Sequence, residues 1–185
     1  INNQADIIIL GWFREASEVG VYRVAVQGGV LTTFVLQGAS AVTGPHFSRL
    51  HTQGRLQDMG LLLKRTARIV LVVTAPVALI FIFWGGEVAG FVFGDDFFDA
   101  RFALAILAAG YLVNVAFGPV GQLLQMTGYE KATAKALGLT AGLNVVLNLA
   151  LIPAYGMIGA ASTTALSVAL YHGILRGIIR KEFRF

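Results

Sequence analysis

Residues 69–93 read IVLVVTAPVALIFIFWGGEVAGFVF, and this stretch decides the fold class. A helix needs about 20 mostly apolar residues to cross the hydrocarbon layer of a bilayer, and this stretch supplies them, with Glu87 near its far end. It is too long for a transmembrane β-strand of about 10 residues and has no sustained alternation. The stretch therefore predicts a membrane-spanning helix, and Pro76 predicts a kink within it.

The composition of the whole chain agrees with lipid as its main solvent. Hydrophobic residues make up 56% and charged residues 13%, with a mean hydropathy of +0.73. Soluble domains carry about 25% charged residues. The chain has no cysteine, which excludes disulfides and thiolate metal sites, and its three histidines are scattered. We expect no metal and no cofactor.

Similar apolar blocks follow one another along the chain and predict an all-α fold, a polytopic transmembrane helix bundle. Pro45 and Pro153 are expected to end helices, because proline cannot continue the hydrogen-bond ladder. The bundle forms a single transmembrane domain over residues 1–185, with five full spans and the end of a truncated one. The predicted spans are residues 1–13 (truncated), 19–44, 69–93, 102–126, 134–152 and 157–179.

The start of the chain has neither an initiator methionine nor a signal peptide. We therefore expect a fragment that begins inside a helix, with Asn2, Asn3, Gln4 and Asp6 at cavity depth.

The positions of lysine and arginine predict the orientation, because cytoplasmic segments are enriched in both. The opposite side receives the segments REASE, GDDFFDAR and PAYG. The polar segment 45–68 is expected to be a cytoplasmic loop in contact with anionic lipid headgroups. This distribution explains the net charge of +4 without nucleic acid as a partner. The predicted cytoplasmic residues are Arg49, Arg55, Lys64, Arg65, Arg68, Lys131, Lys135, Arg176, Arg180, Lys181 and Arg184.

Polar side chains inside the predicted spans are the candidate functional residues, because such groups are costly in lipid and usually face a bundle interior or a wet cavity. Arg23, Gln27 and Gln37 fall on one face of the second span at 100° per residue. Arg23 has two interpretations, a role in a cavity or snorkelling to the interface.

The fourth span carries a second polar face. Asn114, Gly118, Gln122 and Gln125 are spaced by four, four and three residues, beside Pro119. A polar face next to a broken helix is typical of a transporter cavity, and hydrogen bonding between helices is the alternative.

Two further patterns lie on the last two spans. Asn144 and Asn148 are one turn apart, and the pair Gly138 and Gly142 predicts close helix packing. The hydroxyl run 162–167 can bond to carbonyls of its own preceding turn, so no function is assigned to it.

No catalytic motif is legible in the sequence. The chain has no phosphate-binding loop, no paired catalytic carboxylates and no Ser/His/Asp arrangement. We therefore expect that the protein is not an enzyme.

Several segments together resemble a known family. QADIIILGWFREASEVGVYRVA, residues 4–25, resembles the start of the C-terminal half of bacterial polysaccharide flippases, and GPHFSRLHTQGR, residues 44–55, resembles the end of the following helix. Residues 118–131, GPVGQLLQMTGYEK, and residues 143–167, LNVVLNLALIPAYGMIGAASTTALS, are similar to the last three helices. The chain thus resembles the C-terminal half of an O-antigen type flippase of the multidrug/oligosaccharidyl-lipid/polysaccharide exporter superfamily.

The resemblance implies a transporter with two six-helix halves that alternates between inward-open and outward-open states. Its implied substrate is undecaprenyl-pyrophosphate-linked oligosaccharide, moved from the cytoplasmic to the periplasmic leaflet of the bacterial inner membrane. The implied partners are this lipid-linked oligosaccharide, membrane lipids, the N-terminal half of the transporter and glycan assembly proteins. The C-terminus is expected in the cytoplasm.

The chemistry of that substrate suggests roles for the polar residues. A guanidinium suits pyrophosphate, so Arg23 is the candidate for the anionic headgroup, and amides suit hydroxyl-rich sugars. The candidates for sugar contacts or cavity lining are Gln27, Gln37, Asn114, Gln122 and Gln125. The candidate bending points for alternating access are Pro76, Gly118, Pro119 and Gly121.

Three alternatives stay open on the sequence alone. A drug/cation antiporter of the same superfamily would use Asp6 for coupling, since Asp6 is a candidate intramembrane ion pair or protonation site. A glycan polymerase or membrane acyltransferase would need essential loop residues. A purely structural membrane subunit is the third, and the aligned intramembrane polar faces argue against it. For Asp6 itself, the alternative to a functional role is a packing carboxylate satisfied by neighbouring helices.

Overall fold

The computed structural model describes residues 2–183, with side chains from Gln4 onward; the side chains of Asn2 and Asn3, and Arg184, lie outside the described residues. Every regular element in that range is a helix, as expected for an all-α membrane bundle. A 3₁₀ helix, Asp95–Ala100, precedes α5. The α-helices are α1 Asn2–Phe13, α2 Ala16–Leu31, α3 Phe34–Thr52, α4 Leu56–Phe93, α5 Arg101–Phe117, α6 Val120–Met126 and α7 Glu130–Phe183.

The segment predicted as a cytoplasmic loop, residues 45–68, is mostly helical. α3 continues through Pro45 to Thr52, and α4 begins at Leu56, so the connection is short. Pro45 lies inside α3 although a proline removes one backbone donor and crowds the carbonyl four residues before it. The expectation that the helix ends at Pro45 is therefore wrong.

The helix predicted over residues 19–44 is broken near its middle. α2 and α3 meet at a bend of 42°. The hydroxyls of Thr32 and Thr33 donate to the carbonyls of Gly29 and Val30 at 2.6 and 2.8 Å. Such bonds compete with the helical ladder and favour a bend, which places Gln37 on a different helix from Arg23.

The helix α4 does not kink at its proline, Pro76. Pro76 lies in regular helix, whereas Trp84 has non-helical backbone angles. In contrast, α5 ends at Gly118, which has a φ of 71°, and α6 starts after Pro119. A Cβ on Gly118 would lie 2.6 Å from the Cβ of Ala67, so glycine is needed there both for its backbone angle and for close packing on α4.

The 54-residue helix α7 is a hairpin that folds back at Gly156, whose φ is 55° and ψ −134°. The Tyr129 hydroxyl, beside its first turn, donates to Glu182, near its end, at 2.9 Å. We call residues 130–155 the first arm and residues 157–183 the second arm. Pro153 was expected to end the first of these helices, but the turn follows three residues later because glycine alone adopts that conformation freely.

Two hydrophobic clusters hold opposite ends of the bundle together. One joins the corner of α1 and α2 to α5 and the turn of α7, around Leu10, Tyr22 and Ile152. The other joins the end of α3, the start of α4, α6 and both ends of α7, around Phe47, Leu123 and Leu175.

The charges separate between these ends. The basic end, around the second cluster, carries the acidic residues Asp58, Glu130 and Glu182 and a larger number of basic residues: Arg49, Arg55, Lys64, Arg65, Arg68, Lys131, Lys135, Arg176, Arg180 and Lys181. The acidic end, around the first cluster, carries Glu15, Glu18, Asp95, Asp96 and Asp99, with Arg14 and Arg101.

The outer surface and the helix lengths fit a lipid environment. α4, residues 95–117 and α7 are long and apolar enough to cross a membrane, and the bent pair α2 and α3 passes the same test together. Large apolar side chains face outward, such as Ile69, Val72 and Phe91 at 64%, 66% and 92% exposure. Each arm of α7 is about 40 Å long at 1.5 Å per residue, enough for one crossing. The chain is a multi-pass membrane protein.

Candidate functional site

The candidate site lies where two helical hairpins meet. Asp6 and Tyr22 stand sixteen residues apart on α1 and α2, and Asn148 and Thr164 stand sixteen residues apart on the two arms of α7. Each pair straddles its own turn symmetrically. Each of the four residues is eight residues from its turn. At 1.5 Å per residue, all four therefore lie at the same distance from the turns along the helix axes, about 12 Å.

Asp6 is the centre of a ring of hydrogen bonds. Its side chain is fully buried. Asn148 Nδ2 donates to Asp6 Oδ1 at 2.5 Å, while the hydroxyls of Tyr22, at 3.3 Å, and of Thr164 donate to Oδ2. Asn148 Nδ2 also reaches Asn144 Oδ1 at 3.1 Å. One carboxylate thus ties α1 to α2 and to both arms of α7.

The donors of this ring are all uncharged. The ion pairs among the described residues are Arg14 with Glu18 and Arg55 with Asp58, so Asp6 has no cationic partner there. A buried unpaired carboxylate costs several kcal/mol, which neutral hydrogen bonds offset only in part. Such a group is stabilised when it takes up a proton or a small cation.

Several buried polar atoms on the two arms of α7 are unused. Within the described residues, Asn148 Oδ1 and Asn144 Nδ2 have no hydrogen-bond partner, nor do the hydroxyls of Thr163 and Ser167. All four residues are at most 1% exposed. Carboxylate, amide and hydroxyl oxygens are the ligands that hard cations prefer. The site therefore has the chemistry to exchange a bound cation or proton.

The corner of α1 and α2 is clamped to the turn of α7, which fixes the register of the ring. Arg14 Nη2 donates to the carbonyl of Pro153 at 3.0 Å, and Glu18 accepts from the backbone N–H of Met157 at 2.8 Å. These two groups lose their helical partners because the backbone leaves the helix at Gly156. The two side chains supply the missing partners.

The predicted polar stripe on the second span faces outward. Arg23, Gln27 and Gln37 are all exposed in the described chain, and Gln37 Nε2 donates to Thr33 Oγ1 at 3.1 Å. Gln27 also lines a small apolar cavity of about 230 Å³ together with Leu31 and Phe81. The bend after Leu31 separates Gln37 from the other two.

The second predicted face is interrupted by the break at Gly118 and Pro119. Asn114, on α5, and Gln122, on α6, are half-buried, while Gln125 is exposed and lines a cavity of about 260 Å³ beside the start of α7. Since the helix breaks between them, the spacing of eight residues does not place Asn114 and Gln122 on one continuous helix face. Gln122 instead packs against α3 at Gly44.

The predicted bending points differ in backbone geometry. Gly118 and Pro119 form the break between α5 and α6, Gly121 lies in the first turn of α6, and Pro76 lies in unbroken helix. The helical backbone is also interrupted at Gly156.

Some interpretations of α7 change with the structure. Thr164 bonds to Asp6 rather than to its own helix, so the interpretation of the hydroxyl run as self-satisfied is wrong. A Cβ on Gly138 or Gly142 would meet no described atom within 4 Å, so these glycines pack against no helix in residues 2–183.

Asp6 was predictable as a candidate from the sequence, whereas its hydrogen-bond partners were not assigned to it. Asn144 and Asn148, two amides one turn apart on an apolar helix, were the available signal, because such groups need partners in lipid. Tyr22 and Thr164 gave no signal of their own.

Comparisons with known proteins identify one family model and several relatives. A family model described as MatE matches residues 2–150. The chain is 28% identical to the probable low-salt glycan biosynthesis flippase Agl15 of Haloferax volcanii, over 89% of this chain and 35% of the relative. It is 29% identical to the probable flippase AglR of the same organism, again over 89% and 35%.

A third relative carries no functional name. The uncharacterized membrane protein MJ1068 of Methanocaldococcus jannaschii is 27% identical over 86% of this chain and 32% of the relative. The chain thus spans about a third of the length of the curated relatives it matches. No solved structure gives a significant match.

Proposed function

This chain belongs to the MatE family, and from that premise we propose that it forms part of a membrane flippase for a lipid-linked oligosaccharide, driven by ion exchange at Asp6. The names of two relatives, probable flippases, support the transport activity, and one of them is named for glycan biosynthesis. The proposal places the protein among transporters rather than enzymes.

The buried ring around Asp6 is the observation that carries the mechanism. An empty ionised Asp6 is costly in this uncharged surrounding, so the carboxylate favours a state with a bound proton or cation. When Asp6 is loaded, its three hydrogen-bond partners, Tyr22, Asn148 and Thr164, hold both hairpins together. When it is empty, the desolvation cost of its unpaired charge in the apolar bundle favours rearrangement of the hairpins.

The finer part of the proposal concerns the substrate. We expect undecaprenyl-pyrophosphate-linked oligosaccharide, moved from the cytoplasmic to the periplasmic leaflet of a plasma membrane, with the basic end and the C-terminus in the cytoplasm. The exposed side chains of Arg23 and Gln27, one turn apart on α2, suit a pyrophosphate and a sugar hydroxyl. Gln37, Asn114, Gln122 and Gln125 are further candidates for the cavity wall.

Other parts of the transporter complete this picture. Because the relatives are about three times as long as the matched segment, we expect further helices, in a second half, to close a cavity against this bundle. The break at Gly118 and Pro119 and the turn at Gly156 are the candidate bending points.

A flipping assay tests the substrate. The natural full-length protein is reconstituted with a fluorescent lipid-linked oligosaccharide, and an added glycosidase reports which leaflet holds the sugar. Arg23→Ala and Gln27→Ala should slow flipping at least about tenfold, since each removes a hydrogen bond to a charged or polar group. Arg65→Ala, an exposed arginine at the basic end, is the matched control.

Two results would refute the substrate assignment. One is a flipping rate that none of these variants changes. The other is efflux of cationic drugs by the same proteoliposomes without movement of the oligosaccharide, which would favour the drug/cation antiporter.

A further inference from the structure

A second polar site lies at the basic end, separate from the ring around Asp6. A cavity of about 380 Å³ opens between the first turns of α4, the end of α5 and the second arm of α7. Its volume is within the ~300–1,000 Å³ that ligand sites commonly have.

Three cations line this cavity. Lys64 and Arg68 lie one turn apart on α4, and Arg176 reaches it from the second arm of α7. No acidic residue is among its lining residues. Within residues 2–183, none of the three has an ion-pair partner, whereas the nearby carboxylate of Asp58 is already paired with Arg55.

The end of α5 partly offsets the repulsion between the three positive charges. Ala116 and Phe117, the last residues of α5, form one wall. A helix end of this kind carries about half a negative charge on its free carbonyls. That partial charge holds cations near the cavity but leaves most of their positive charge uncompensated.

The remaining walls are apolar and continue into the outer surface of α4. Leu63, Ala67 and Phe117 line the cavity, and Ile69, Val72 and Val73 follow on the exposed face of the same helix, at 64%, 66% and 52% exposure. An occupant therefore meets cations at one end and a lipid-facing apolar surface beyond.

We propose that Lys64, Arg68 and Arg176 form a binding site for the phosphate group of a membrane lipid. Arginine binds phosphate oxygens in pairs, and lysine adds a point charge. The acyl or prenyl chain would lie along the exposed face of α4. The site is independent of the proposed transport activity, because it needs only a lipid phosphate; an ordinary phospholipid and the phosphate of a lipid carrier share this chemistry.

Lipid retention by the purified full-length protein tests the site. The protein is titrated in detergent with phosphatidylglycerol, undecaprenyl phosphate or inorganic pyrophosphate. Native mass spectrometry counts the bound molecules of each ligand. The variant Lys64→Gln/Arg68→Gln/Arg176→Gln should lose at least about tenfold in affinity for a lipid phosphate, since each residue contributes a charge-assisted bond. The matched control, Arg65→Gln/Arg180→Gln/Lys181→Gln, removes the same charge at the same end but no lining residue.

The outcomes separate the sources of the phosphate. Tighter binding of phosphatidylglycerol assigns the site to ordinary phospholipid, and tighter binding of undecaprenyl phosphate assigns it to a lipid carrier. Equal losses in the two triple variants would overturn the proposal, as would pyrophosphate binding as tight as that of either lipid. If the triple variant does not fold, Arg176→Gln alone, with Arg180→Gln as its control, gives the same test with a smaller expected loss.

Discussion

Asn148 donates a hydrogen bond of 2.5 Å to Asp6, across a chain separation of 142 residues, and so joins the first helix of the chain to the α7 hairpin. Both side chains are fully buried. This contact holds the α1–α2 hairpin and the α7 hairpin in register.

Thr163 and Thr164 provide a matched pair for testing the ring. Both are 1% exposed, but only Thr164 bonds to Asp6, while the Thr163 hydroxyl has no partner among the described residues. Thr164→Val should lower the free energy of unfolding by about 1–3 kcal/mol, because it removes a hydrogen bond to a buried carboxyl group. Thr163→Val should be neutral or stabilising. Thermal unfolding in detergent measures both, and equal shifts would contradict the ring.

Tyr22→Phe removes only the hydroxyl that contacts Asp6, at 3.3 Å, the longest bond of the ring. We expect a loss of stability of about 1 kcal/mol, smaller than that of Asn148→Leu, because weak geometry makes a weak hydrogen bond. The same unfolding measurement compares the two variants. A larger effect of Tyr22→Phe than of Asn148→Leu would show that the order of contributions is wrong.

Gly156→Ala should weaken the α7 hairpin. The residue has a φ of 55° and a ψ of −134°, a conformation that a side chain strains by ~1–3 kcal/mol. Gly142→Ala is the control, because a Cβ there meets nothing within 4 Å in the described chain, and alanine favours a helix by about 1 kcal/mol. Opposite signs of the two shifts in unfolding temperature are expected. A stabilising Gly156→Ala would contradict the fold-back at this residue.

Glu18→Ala should loosen the clamp between the α1–α2 corner and the turn of α7. It leaves the backbone N–H of Met157 without its acceptor. Loss of the partner of a fully buried group costs about 1–3 kcal/mol, and this partly buried contact should cost less. The exposed neighbour Glu15 provides the control variant Glu15→Ala. Hydrogen exchange at the α7 turn should rise for the first variant and stay unchanged for the second. Unchanged exchange in both would mean that the clamp does not hold the turn.

The general architecture was predictable from hydrophobic blocks, but the breaks in the helices were only partly so. The stretch 69–93 gives a helix because lipid leaves the backbone no other hydrogen-bond partners. Pro119 marks a true break, whereas Pro45 and Pro76 lie inside helices. A proline removes a single donor, so packing by its neighbours decides whether the helix continues.

The candidate site was predictable in its centre and not in its partners. Asp6 is conspicuous in sequence because a carboxylate in an apolar block is costly. Thr164 is not, since a hydroxyl in a helix can bond to its own backbone. Its contact with Asp6 depends on the symmetric turns of the two hairpins. These turns place two residues that are 158 positions apart side by side.

The proposed ion exchange at Asp6, coupled to oligosaccharide flipping, is tested by measuring flipping in proteoliposomes under an imposed tenfold gradient of protons or of sodium. One of these gradients should shift the distribution of the lipid-linked oligosaccharide by up to about tenfold for each ion exchanged, since RT ln 10 is about 1.4 kcal/mol. Asp6→Asn should abolish that dependence, and Asp58→Asn, at an exposed ion pair, should keep it. Full gradient dependence in Asp6→Asn would contradict ion exchange at Asp6.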